Sequence, residues 1–172
     1  MAEIIILNGA SRRNGNTAAL VKAFTEGAKG AGNNVEEFYI WGMDVHGCIG
    51  CDRCSEAPAG AEYPCSQNDE MRDIYIALMR ADVVVFASPV YFWTISGPLK
   101  TVADRFHAAY RNVGAEGFRK KSALLMTAGG SDYSQALAWY RKFETSLGWK
   151  NLGEVLGAGK AEEAKKLGES IK

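Results

Sequence analysis

Cys48, Cys51 and Cys54 stand with two residues between each pair, and Cys65 follows after ten more. Such short loops bring thiolates together round one metal centre. Four thiolates suit a [4Fe–4S] cluster or zinc. Free redox thiols are the third reading of the same segment. His46 precedes the run as a substitute ligand or a polar neighbour, and four sulfurs suffice without it. All four cysteines lie in residues 41–68, a stretch rich in Gly, Pro, Cys and polar residues that reads as an insertion. A long irregular segment inside a compact domain is usually functional or disordered. Pro58, Gly60 and Pro64 make the last gap a loop able to fold back.

A second constellation lies near the start. Residues 8–17 read Asn-Gly-Ala-Ser-Arg-Arg-Asn-Gly-Asn-Thr and follow the apolar run Ile4–Leu7. A turn between a strand and a helix presents unpaired backbone N–H groups with partial positive charge, which suits an anion. Glycine lets the backbone approach a ligand closely. Ser11, Asn14, Asn16 and Thr17 add side-chain donors, and Arg12 and Arg13 add charge. A helix cap alone needs one such residue, not six. Neither the P-loop pattern nor Gly-x-Gly-x-x-Gly is present, which argues against an ordinary ATPase or a Rossmann dehydrogenase.

Two later loops carry related signals. Pro89, Val90, Tyr91, Phe92 and Trp93 follow the run Val83–Ala87. Three consecutive aromatics cannot all face one core, so some should stand exposed at the sheet edge, where a flat ring packs on them. Ala128, Gly129 and Gly130 follow the run Ala123–Thr127, and paired glycines there permit close backbone approach.

The elements that position these loops follow from periodicity. Ile4–Leu7, Val35–Ile40, Val83–Ala87 and Ala123–Thr127 read as buried strands, with a weaker fifth in Asn151–Ala158. Helical patterns occupy Ala18–Lys29, Asp69–Arg80, Leu99–Tyr110, Gln135–Leu147 and Ala161–Ile171. Alternating strands and helices imply a parallel sheet covered on both faces. His107 lies within a helix and reads as a packing or surface residue. Trp139, Tyr140 and Phe143 read as core or a subunit contact.

The chain has 172 residues, which fits a single domain, 1–172. Twenty basic and twenty acidic residues cancel, so no basic surface points to nucleic acid or to a membrane. No stretch reaches transmembrane length, and Met1-Ala2-Glu3 lacks the basic start of a secretion signal. The expectation is a cytoplasmic protein whose cysteines are ligands or thiols rather than structural disulfides.

The loops at 8–17, 87–100 and 127–131 resemble those of the flavodoxin-like NAD(P)H-dependent FMN reductases, and the cysteine run resembles that of their iron–sulfur flavoprotein subgroup. The resemblance implies a three-layer α/β sandwich with a five-stranded parallel sheet in the order 2-1-3-4-5. It implies FMN, its phosphate on Ser11, Arg12, Asn14, Asn16 and Thr17. Its ring would lie against Pro89, Val90, Tyr91, Phe92 and Trp93, with Ala128, Gly129 and Gly130 lining its edge. It implies a [4Fe–4S] cluster on Cys48, Cys51, Cys54 and Cys65. NAD(P)H or a ferredoxin-like donor, an acceptor such as a quinone, flavin or oxygen, and a homodimer or homotetramer complete the expectation. Two departures stand out. Ala10 replaces a common Ser, and Trp93 replaces a common Gly. Two other classes stay open: a flavodoxin-type electron carrier, which would usually be strongly acidic, and a zinc-stabilised non-catalytic binding protein.

Overall fold

The computed structural model describes residues 1–172. Strands β1 (Glu3–Asn8), β2 (Asn34–Tyr39), β3 (Val83–Pro89), β4 (Lys121–Thr127) and β5 (Lys150–Leu156) form one sheet in the order β2-β1-β3-β4-β5. Every pairing is parallel. The order is the one the sequence implies. Helices α1 (Asn16–Gly30), α2 (Met71–Arg80), α3 (Gly97–Gly117), α4 (Ser134–Leu147) and α5 (Ala161–Glu169) cover it.

Strand alternation assigns the two faces. Ile5, Leu7, Val84, Phe86, Leu124 and Met126 point into a core closed by α2, α3 and α4. Ile4, Ile6, Val83, Val85, Ala123 and Leu125 point the other way, into a core closed by α1 and α5. The three central strands therefore bury both faces and read as unbroken apolar runs, while the edge strand β2 is mostly exposed. Helices α1 and α5 meet almost backbone to backbone. A methyl group at Gly27 would overlap the Lys165 carbonyl oxygen, and one at Gly168 the Phe24 carbonyl oxygen.

Several boundaries shift from expectation, and two of the shifts have a visible cause. Helix α3 runs beyond Tyr110 and breaks at Gly114, where φ is 72°. Helix α2 begins at Met71 rather than Asp69, because the Asp69 carboxylate turns back onto the Met71 N–H (3.3 Å) and onto α3. No helix is long and apolar enough to cross a membrane.

Candidate functional site

The carboxyl ends of β1, β3 and β4 lie side by side, so the loops that leave them converge on one cleft of about 160 Å³. The first loop leaves the sheet with Gly9 N–H donating to Ala87 O at 2.8 Å. The Asn8 side chain accepts from Ala10 N–H at 3.0 Å, which bends the chain. A Cβ at Gly9 would come 2.5 Å from Ser96 Oγ and 2.8 Å from Leu99 Cβ, so only glycine lets the loop lie this close to α3. Helix α1 then starts with no side-chain cap and no acidic residue in its first turn. Its N-terminal N–H groups and the positive end of its dipole remain available to an anion.

Ser11, Arg12, Asn16, Thr17, Pro89, Val90, Tyr91, Ala128 and Gly129 all line this cleft; Asn14, Phe92, Trp93 and Gly130 do not. Arg13 also turns away and stacks over the Tyr39 ring, its guanidinium carbon 3.9 Å from the centroid. Two cross-links tie the loops together. Ser11 Oγ and Tyr91 Oη lie 2.8 Å apart, and Thr17 Oγ1 and Thr127 Oγ1 lie 2.7 Å apart in a buried position. Behind the first loop, Trp41 Nε1 donates to Gly9 O (2.8 Å) and Tyr39 Oη to Ser11 O (3.1 Å). Neither Gly129 nor Gly130 has positive φ, and a Cβ at either would meet open space. Packing within the chain therefore does not demand glycine there.

The aromatic loop is a two-residue hairpin. Tyr91 N–H donates to Thr94 O (2.9 Å) and Thr94 N–H to Tyr91 O (3.2 Å). Phe92 and Trp93 occupy its tip at φ of 46° and 63°. This turn type prefers Asn-Gly, and holding two bulky residues there costs on the order of 1–3 kcal/mol each. The departure at Trp93 thus falls on a backbone position that favours glycine. The tip also displays the aromatics, since Phe92 is 91% exposed and Trp93 53% exposed.

The cysteine segment forms a second cleft, of about 110 Å³. Cys48, Cys51, Cys54 and Cys65 all line it, together with Arg105 and His107. The segment is ordered by its own hydrogen bonds. His46 N–H donates to Asp69 Oδ2 (2.9 Å) and Gln67 Nε2 to Gly47 O (3.1 Å), which laces its two legs together. Arg105 then fastens both legs to α3, reaching His46 O and Asp69 Oδ2 at 2.8 Å each. Asn112 Nδ2 holds Pro58 O at 2.7 Å further along α3.

The electrostatics of this cleft are uneven. A hydrogen bond with Ser66, with help from the Arg53 backbone, lowers the pKa of Cys51 and favours its thiolate. Burial raises that of Cys54, and nearby Asp52 adds to the effect. Burial also works against the charge on Asp69, but the Arg105 guanidinium outweighs it and holds the carboxyl below its ordinary range.

Three residues escaped the sequence reading as site components. Arg105 and His107 sit in mid-helix, where nothing local marks them, and the cleft they line is built by residues about fifty positions earlier. Donor atoms of His107, Asp52 and Cys54 lie within 4.8 Å of one another. Thr127 ended a strand pattern, and its partnership with Thr17 spans 110 residues.

The chain is 27% identical over 107 residues to an iron–sulfur flavoprotein of Archaeoglobus fulgidus, covering 62% of this chain and 50% of that protein. It is 31% identical over 103 residues to an iron–sulfur flavoprotein of Methanocaldococcus jannaschii, covering 60% and 51%. The alignments thus span about half the length of these two relatives. In fold it is similar to NAD(P)H:quinone oxidoreductase from Methanothermobacter marburgensis, with a TM-score of 0.77 at 18% identity over 98% of this chain and 96% of that one. The family of NADPH-dependent FMN reductases matches residues 2–162, nearly the full length, and the chain belongs to that family.

Proposed function

We propose that the chain is an FMN-dependent oxidoreductase. It takes electrons from a reduced donor, NAD(P)H or a ferredoxin-like protein, and passes them to an acceptor such as a quinone, a flavin or oxygen. The observation that carries this reading is the convergence of three sheet-edge loops on one polar cleft, with an uncapped helix N-terminus and Tyr91 in its walls.

The residues present fit FMN. Ser11, Arg12, Asn16 and Thr17, joined by the adjacent Asn14, offer donors and charge to its phosphate. Pro89, Val90 and Tyr91 with Ala128 and Gly129 form the walls for its ring, and Phe92, Trp93 and Gly130 extend them at the rim. When bound, FMN supplies the hydride and single-electron chemistry, while the protein supplies binding and orientation. Gly9 keeps the phosphate loop close to the sheet, and the Ser11–Tyr91 and Thr17–Thr127 bonds hold the loops in register. The strained hairpin tip holds Phe92 and Trp93 exposed, next to Tyr91 in the wall of the cleft. No side-chain acid–base triad is required.

The second cleft fits a [4Fe–4S] cluster on Cys48, Cys51, Cys54 and Cys65. Four thiols share it, and Arg105, whose buried Nε has no hydrogen-bond partner, also lines it. Zinc is the second reading, favoured by the sulfur, nitrogen and oxygen donors of Cys54, His107 and Asp52. Thiolate ligands persist in a reducing compartment, which matches a cytoplasmic protein. The exposed Phe92 and Trp93 support a homodimer or homotetramer that covers them.

Metal analysis of Cys51→Ser tests the cluster. The expected result on protein prepared without oxygen is about four irons per chain in the wild type and none in the variant, with FMN retained in both. Zinc in place of iron would move the site to the second reading. Wild-type iron content in the variant would remove Cys51 from the ligand set.

A further inference from the structure

Arg105 is only 1% exposed. Its terminal nitrogens are committed. Nη1 donates to His46 O and Asp69 Oδ2, each at 2.8 Å, and Nη2 to Asp69 Oδ1 at 3.2 Å. Its Nε is buried without any partner in the chain. The same side chain lines the cleft of the four cysteines. A buried N–H on a cation is costly to leave unpaired, and nearly all such groups in folded proteins are satisfied. An orphan of this kind beside a cluster of thiols marks a donor kept for whatever the thiols hold.

The charge itself is secure. Burial disfavours the guanidinium cation, but the Asp69 hydrogen bond, Tyr75 and Cys65 together outweigh it, so Arg105 stays protonated. That charge is matched by the ionised Asp69, so the pair is close to neutral, and what Arg105 keeps spare is its Nε–H donor.

We infer that Arg105 is a positioning residue that tunes the group held by the four thiolates: its pair with Asp69 closes the neck of the cysteine loop, and its spare Nε–H stabilises negative charge in the cleft. The inference rests on the [4Fe–4S] reading above. Iron–sulfur potentials respond to net charge and to hydrogen bonds to the sulfurs. Accepting an electron makes such a site more negative, and a spare N–H donor favours that change. Arg105 therefore raises the reduction potential above that of the same thiolates without it. A residue acting only as a clamp would alter how firmly iron is retained and would leave the potential where it was.

The test is a redox titration, followed by electron paramagnetic resonance, of protein reconstituted with iron and sulfide without oxygen. Arg105→Lys keeps a cation for Asp69 and removes the planar Nε donor. The double variant Arg105→Met/Asp69→Asn removes the buried pair together, so no lone buried charge prevents folding. Both variants are expected to hold FMN like the wild type and to show midpoint potentials shifted to lower values. Wild-type midpoints in variants that bind iron normally would overturn the assignment while leaving the cluster in place. A wild-type chain that takes up no iron would overturn the cluster reading and this inference with it.

Discussion

Arg105→Met, made alone, is expected to cost about 3–5 kcal/mol of stability, because it strands the Asp69 carboxylate in the interior. Asp69 has a side chain with no exposure, and Arg105 supplies a two-nitrogen contact to it. Removing both charges together is far milder than removing one. The pH dependence follows with a definite sign. In the wild type the folded pKa of Asp69 is depressed. Its contribution is therefore complete above the ordinary carboxylate value of about 4, and is lost as pH falls through the folded value. In the variant, burial acts on a carboxylate that keeps the His46 and Met71 N–H donors but has lost its cation, and drives the carboxyl towards the protonated form. Stability lost at neutral pH should thus be partly recovered on acidification towards pH ~4, because the buried group can then neutralise. Urea denaturation of both proteins at a series of pH values checks this. A deficit that stays the same across the series would mean that Asp69 is not the source of the cost.

The second large effect concerns the phosphate loop. Arg12→Ala should weaken FMN binding by roughly tenfold to a hundredfold, the worth of a hydrogen bond to a charged group. Thr17→Val keeps the shape but removes the hydroxyl, and should weaken binding by about tenfold. Thr17 acts in two ways. It lines the cleft, and its bond to Thr127 holds the loop against the end of β4. Arg13→Ala is the internal comparison, because Arg13 stacks on Tyr39 and does not line the cleft. Titration of the apoproteins with FMN separates the cases. Equal losses from Arg12 and Arg13 would mean that bulk positive charge, not the geometry of the loop, binds the phosphate.

The sequence disclosed what is local. Ile4–Leu7 and Val83–Ala87 announced buried strands, since both of their faces are covered and no polar residue interrupts them. The loop proposed to hold the phosphate stood out because its donors sit within ten residues and lead directly into α1. The cysteines were legible as a set by spacing alone, and the structure brings all four to one cleft. What stayed hidden depends on distant parts of the chain. Arg105 is one charged residue in an amphipathic helix until the 46–69 segment folds over it. His107 reads as a surface residue until Cys54 and Asp52 arrive beside it. The side chains of Asn14, Phe92 and Trp93 carry the right chemistry for the flavin cleft yet stand outside its walls, because the turns that hold them aim them to solvent. Turn geometry of that kind depends on φ, and Phe92 and Trp93 take values that their residue types give no reason to expect.

The proposed activity depends above all on FMN in the cleft between the three loops. The most direct measurement is the absorption spectrum of the purified chain, first with added FMN and the excess removed, then with NADPH or NADH under anaerobic conditions. Stoichiometric retention of flavin bands, bleached by the nicotinamide donor and restored by a quinone, is the predicted result. A chain that retains no flavin after saturation would contradict it.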